Sequence, residues 1–231
     1  MRATVAEFTG TALLLAAVVG SGIMGDNLSG GNVAIALLAN SLATGAALVV
    51  LILTFGPVSG AHFNPAVTIA DAVEGGISWP AAGRYVMAQI VGAFAGVAIA
   101  DLMFQRPIFS ASARVRSGLP LMGSEFVATF GLLAVIWGCS RRRAETVPFA
   151  VGAYITGAYW FTSSTSFANP AVTLARAATD SFAGIRPADV PAFIVAQALG
   201  AAAATLLFRW LVPTLPQTAQ RIAVPHAKEP C

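Results

Sequence analysis

The pentapeptide Asn-Pro-Ala-Val-Thr occurs twice, at residues 64–68 and 169–173, in a chain of 231 residues that is 57% hydrophobic. Each copy is built to start a helix. Asn is among the best N-cap residues, and Pro suits the first helical position, where its missing N–H costs nothing. The segments that follow, 66–73 and 171–179, are too short and too polar-ended to cross a bilayer, which takes about 20 apolar residues. The spacing therefore predicts two half-helices with identical beginnings.

Only 10% of the residues are charged, against roughly 25% in a soluble domain, and the mean hydropathy is +0.76. The chain reads as an integral membrane protein. Apolar stretches of spanning length fall at 5–24, 33–55, 79–104, 121–138, 146–162 and 190–212. The first follows Arg2 but carries Glu7 and recurs later, so it reads as a retained span and not a cleaved leader. Five of the 13 Lys and Arg residues (Arg106, Arg114, Arg116, Arg176, Arg186) fall on one side of these spans and the other eight, including the run 141–143, on the other. The positive-inside rule then places both termini in the cytoplasm. A net charge of +3 scattered over loops and tail implies no nucleic-acid partner, and Cys139 and Cys231 have no metal-ligand spacing.

Residues 6–20 return in altered form at 124–138, and Ala88-Gln89-Ile90-Val91-Gly92-Ala93 returns as Ala196-Gln197-Ala198-Leu199-Gly200-Ala201. With the doubled pentapeptide, three landmarks recur in one order. The chain divides into halves at about 1–104 and 121–212, a linker at 105–120 and a short polar tail at 213–231. Three spans per half is an odd number, so the second half enters the membrane from the opposite side. The expected fold is an all-α membrane protein of six transmembrane helices plus two re-entrant half-helices in an inverted repeat. The half-helices would meet near the midplane as a seventh, broken span, where irregular backbone survives only if buried or facing a water-filled cavity. Each points about half a positive charge at the centre, and the amides of Asn64 and Asn169 offer donors there. Such a junction favours neutral, oxygen-bearing molecules.

The paired Asn-Pro-Ala motifs (Asn64, Pro65, Ala66; Asn169, Pro170, Ala171), the run Ser-Gly-Ala-His-Phe-Asn-Pro-Ala-Val-Thr at 59–68, and Ala-Glu-Phe heading the first span closely resemble the aquaporin, or major intrinsic protein, family. The exclusion of protons and cations by half-helix dipoles is already described for aquaporin-type pores, so it belongs to the pore type and is not a result of these residues. The resemblance implies a homotetramer of six-span protomers, each with a pore for water or small uncharged solutes, and no cofactor. It also implies that the carbonyls of Gly60, Ala61 and His62, and of Thr165, Ser166 and Phe167, form ladders of acceptors along the pore.

In that family an Arg usually follows the second motif and helps form the narrow outer filter. Here the place is held by Val172, and ungapped spacing puts the other three filter positions on Thr44, Gly157 and Ser166. None of these is aromatic, charged or large, unlike the sets of typical water channels or glycerol facilitators. The departure is similar to the bacterial aquaporin S type associated with arsenic resistance, which implies passage of arsenite as neutral trihydroxyarsenic beside polyols and water. Arg176, four residues after Val172, lies about 6 Å further out on the same helix face. There it either carries positive charge into a wider vestibule, or snorkels to the headgroups or caps a loop.

Glu7 and Glu125 are matched intramembrane acids, and each half has one re-entrant loop whose N–H groups need acceptors at depth. Loop support is the expected role, with Gln89 and Gln197 tying loops to spans. Catalysis is not expected, because no nucleophile and base converge. A coupled secondary transporter, the alternative, also uses inverted repeats but needs an ionisable pair at the midplane, where this chain has two neutral Asn. A passive channel in a bacterial inner membrane is the leading expectation.

Overall fold

The structure is a computed structural model that describes residues 1–140 and 144–212. The expected basic run 141–143 and the polar tail 213–231 lie outside the described residues. Eight α-helices follow in chain order among the described residues: α1 (Arg2–Leu28), α2 (Val33–Ser59), α3 (Pro65–Val73), α4 (Trp79–Met103), α5 (Leu119–Ser140), α6 (Val147–Phe161), α7 (Pro170–Arg176) and α8 (Val190–Leu211). One-turn 3-10 helices at Ala144–Thr146 and Pro187–Asp189 lead into α6 and α8.

Five helical segments, α1, α2, α4, α5 and Pro187–Leu211, are long and apolar enough to cross a membrane. At 1.5 Å per residue the 27 residues of α1 or α2 reach about 40 Å, more than a hydrocarbon core of about 30 Å. The sixth expected span is helical over only 15 residues, about 22 Å, because the chain leaves α6 at Thr162 for an extended approach to the second motif. Helix starts carry their own signals: Asn32 Oδ1 accepts from the Ala34 and Ile35 amides, and Ser78 Oγ accepts from Ala81.

The two halves repeat one packing scheme. α1 lies against α2 and α4, α5 lies against α6 and α8, and α2 with α6 joins the halves. Close approach in each half depends on a glycine: a Cβ at Gly92 would sit 2.4 Å from the Phe8 carbonyl oxygen, and one at Gly200 2.4 Å from that of Phe126. Small residues at such crossings let helices pack in lipid, where no hydrophobic force draws them together. Leu38, Val50, Met87, Val91, Leu199 and Leu206 stay exposed on the outer surface of the bundle, as apolar side chains facing acyl chains do.

Candidate pore

Both half-helices begin as the doubled pentapeptide predicts. Asn64 Oδ1 accepts from the Ala66 amide at 2.9 Å, Asn169 Oδ1 accepts from Ala171 and Val172 at 2.9 and 3.2 Å, and Pro65 and Pro170 stand at the first positions. The two Asn side chains also cross between the halves. Asn64 Nδ2 donates to the Ala168 carbonyl at 2.7 Å and Asn169 Nδ2 to that of Phe63 at 2.8 Å. A carboxamide NH₂ has two hydrogens, so each Asn commits one to the opposite loop and keeps one for an oxygen in the cavity. α7 stops at Arg176, earlier than the expected 179, because the Ala177 and Ala178 amides turn to the Leu174 and Ala175 carbonyls in tight i−3 bonds.

The approaches to the motifs run through left-handed backbone at non-glycine residues: φ is 51° at Ala61 and 50° at Phe63, and 63°, 50° and 48° at Thr165, Ser166 and Ala168. Such residues cost on the order of 1–3 kcal/mol each and persist only when their surroundings hold them. Buried hydrogen bonds do so here. Glu7 Oε1 accepts from Ser59 Oγ at 2.7 Å and the His62 amide at 3.0 Å, and Oε2 accepts from the Phe63 amide at 2.7 Å and Gln89 Nε2 at 2.8 Å. In the other half Glu125 accepts from the Phe167 and Ala168 amides, both at 2.9 Å, and from Gln197 Nε2 at 2.6 Å. Gln89 and Gln197 reach on to Thr68 and Thr173 of the half-helices, each at 2.8 Å.

A cavity of about 70 Å³ runs past this junction, room for a file of about five waters. Most of the helical lining is apolar: Leu14 and Val18 of α1, Leu48 and Ile52 of α2, Leu132 and Ile136 of α5, and Val147, Val151 and Ile155 of α6. The two loops complete the lining, with Ala61, His62, Phe63 and Asn64 from one and Ser166, Phe167, Ala168 and Asn169 from the other. Of the residues expected to form the ladders, Ala61, His62, Ser166 and Phe167 line this cavity. Gly60 is the left-handed C-cap of α2, and neither it nor Thr165 is part of the wall.

Of the four expected filter positions, Thr44, Ser166 and Val172 meet in the cavity wall and Gly157 does not. Gly157 is exposed on the outside of α6. The wall is formed by Val147, Val151, Ile155 and Tyr159, an i, i+4 row, and Gly157 lies two residues, about 200° of helix, from the last two. Tyr159 lines the cavity instead, its hydroxyl 3.2 Å from Thr44 Oγ1, and brings an aromatic ring into the wall where the spacing argument placed none. Arg176 is buried beside these residues. It is 1% exposed, lies in the same wall, stacks its guanidinium 3.4 Å from the Phe167 ring centroid, and donates from Nε to the Ala183 carbonyl. The chain after α7 folds back over Arg176, the Ile185 amide returning to the Arg176 carbonyl at 3.3 Å.

Arg116, read from sequence only as an outer-loop charge, is 8% exposed and stands beside the same ring, 4.9 Å from its centroid. It donates from Nε to the Gly184 carbonyl at 2.8 Å and from Nη1 to that of Ser164 at 3.0 Å. Two guanidinium groups therefore flank Phe167, a residue of the cavity lining, and both favour the ring face through cation–π attraction. No periodic signal in 105–120 marks Arg116, whereas the i, i+4 row on α6 does mark Tyr159.

The major intrinsic protein family model matches residues 1–162 and 142–229. The chain is 53% identical to aquaglyceroporin AqpS of Rhizobium meliloti (strain 1021) over 226 residues, 96% of this chain and 97% of that protein. It is 30% identical to the glycerol uptake facilitator protein of Streptococcus pneumoniae, over 65% of this chain and 70% of that one. The X-ray structure of the aquaglyceroporin from Plasmodium falciparum superimposes with a TM-score of 0.72 at 21% identity, covering 94% of this chain and 98% of that chain, a likeness of fold. The paired half-helices and the match along nearly the whole chain lead to one assignment: this chain belongs to the major intrinsic protein family.

Proposed function

We propose that the chain is a passive membrane channel for small uncharged solutes, carrying water, glycerol-like polyols and arsenite as neutral trihydroxyarsenic. The observation that carries this reading is the mixed lining of the cavity, apolar side chains from α1, α2, α5 and α6 together with the hydrogen-bonding loops. A polyol has that same mixture, carbon together with hydroxyls. Trihydroxyarsenic presents the same small, neutral, hydroxylated surface.

In this reading Thr44, Tyr159, Ser166 and Val172 form the filter, and Arg176 supplies its positive charge one turn beyond the place that Val172 occupies. The carbonyls of the two loops accept hydrogen bonds from the solute, the Asn64 and Asn169 amides donate, and Glu7 and Glu125 keep the loops in shape. Arg116 acts with Arg176 to make the outer end repel cations. The channel works as a homotetramer in a bacterial inner membrane with both termini cytoplasmic.

The test is purified protein in liposomes, with water, glycerol and arsenite fluxes followed with and without a proton gradient. Non-saturating fluxes that ignore the gradient are expected. Saturable, gradient-driven uptake would establish the coupled transporter instead.

A further inference from the structure

The duplicated halves differ in what covers the outward flank of each half-helix. In the outer half α7 packs against α4, whose Ile90 and Phe94 are partly buried on the core. The Phe94 ring meets Phe109 of the linker at 6.1 Å between centroids and 72° between planes. The chain fills that flank with its own rings. The repeat register that matches Gln89 to Gln197 matches Ile90 to Ala198 and Phe94 to Ala202. Where the outer half has a branched chain and a ring, the inner half has two methyl groups.

The consequence is an open groove of about 390 Å³ between α3 and α8, with Pro65, Ala66 and Pro170 at its inner end. Its flanks, Ile69, Val73 and Leu206, are 47%, 45% and 64% exposed. The one hydroxyl in the wall, on Thr205, is engaged: it donates to the Ala201 carbonyl at 2.9 Å and accepts from Trp137 Nε1 at 3.3 Å. At the mouth stands Arg209, its side chain 43% exposed, bonded through Nε to Glu74 at 2.5 Å and through Nη2 to the Val73 carbonyl at 3.2 Å. Those bonds use two of five N–H groups. Trp210 beside it is 77% exposed, as aromatic residues at a membrane–water interface are.

From Arg209 to Ala198 is about 16 Å along α8, and half of a hydrocarbon core is about 15 Å. The groove thus spans one leaflet, from a cation at headgroup level to the backs of both motif prolines. A neighbouring helix, with a diameter of about 10 Å, does not enter a slot between two helices already in contact. We propose that this groove binds an acyl chain of an inner-leaflet phospholipid, with the phosphate accepting from Arg209. The lipid tail does in the inner half what Phe94 and Phe109 do in the outer, bracing the half-helix junction from behind.

The full chain is reconstituted in phosphatidylcholine liposomes doped with phosphatidylglycerol carrying a photoactivatable diazirine midway along one acyl chain, and labelled peptides are mapped by mass spectrometry. Labelling of α3 and α8 around Ile69, Ala198 and Ala202 is expected to exceed, several-fold, that of equally exposed α4 residues such as Val91. A diacylglycerol with the same diazirine, lacking the phosphate, should label the groove several-fold less. Ala202→Phe, which installs the ring of the outer half, should abolish the excess, and the milder Ala198→Ile should reduce it if the phenyl variant fails to fold. Uniform labelling, labelling untouched by both substitutions, equal labelling by both probes, or cross-links in the groove to a second copy of the chain would each overturn the proposal. None of these readouts measures flux, so the result stands apart from the channel reading.

Discussion

At the residue scale, the proposed filter contains one hydroxyl pair, Thr44 and Tyr159, 3.2 Å apart. Tyr159→Phe keeps the ring but deletes the hydroxyl and about 1 kcal/mol of hydrogen bonding, about fivefold in a rate. Glycerol flux is expected to rise relative to water, by about that factor or less, in stopped-flow measurements on liposomes; an unchanged ratio would remove Tyr159 from the filter. Gly157→Ala, on the outside of α6, should leave both fluxes unaltered. Val172→Arg sets a second guanidinium one turn from Arg176 in the same wall and should suppress glycerol and arsenite more than water; equal loss of all three would count against a size filter at that position. Sequence spacing found Thr44, Ser166 and Val172, which lie in helices or next to a capped motif. It missed Tyr159 because the count from the motif back to α6 crosses 162–169, where no helical period fixes which residue faces inward.

At the element scale, each strained loop hangs from one carboxylate. Glu7→Gln or Glu125→Gln replaces an acceptor oxygen with an NH₂ group aimed at backbone N–H donors, leaving at least one buried donor unpaired at about 1–3 kcal/mol. Similar falls in the thermal unfolding midpoint in detergent are expected for the two variants, because the bonding in the two halves is alike; a fall in one alone would break the equivalence of the halves. Arg116→Met keeps the bulk but leaves the Ser164 and Gly184 carbonyls without the guanidinium. It should lower the midpoint and admit a small cation leak, while an unaltered midpoint and leak would make Arg116 dispensable. The helices were legible in the sequence because apolar length and Asn, Ser and Pro at their starts are local signals. The fold of 105–120 was not: its anchors, the Arg116 amide on Asp189 and the Ala113 amide on Asp180, join residues far apart in the chain with no repeating pattern.

At the scale of the whole molecule, the channel reading puts a barrier to ions where the inverted halves meet. α3 and α7 direct their N-termini at one point, and each contributes about half a positive charge. The two Asn side chains that cap them are neutral and are shared crosswise between the halves. Asn169→Asp keeps a good N-cap, since Asp caps as well as Asn, so α7 should still form. It replaces the donor to the Phe63 carbonyl with a carboxylate whose full negative charge offsets the two half-charges. The electrostatic reason for a cation to avoid the midplane is then largely gone, while the apolar wall and the width of the cavity are unchanged. A proton or sodium conductance absent from the parent protein should appear in planar bilayers, with glycerol flux in liposomes reduced by less than tenfold, about 1.4 kcal/mol. If the bilayer stays tight to cations although neutral solutes still pass, the junction of the half-helices is not the barrier, and exclusion must lie at the outer end, where Arg116 and Arg176 flank Phe167.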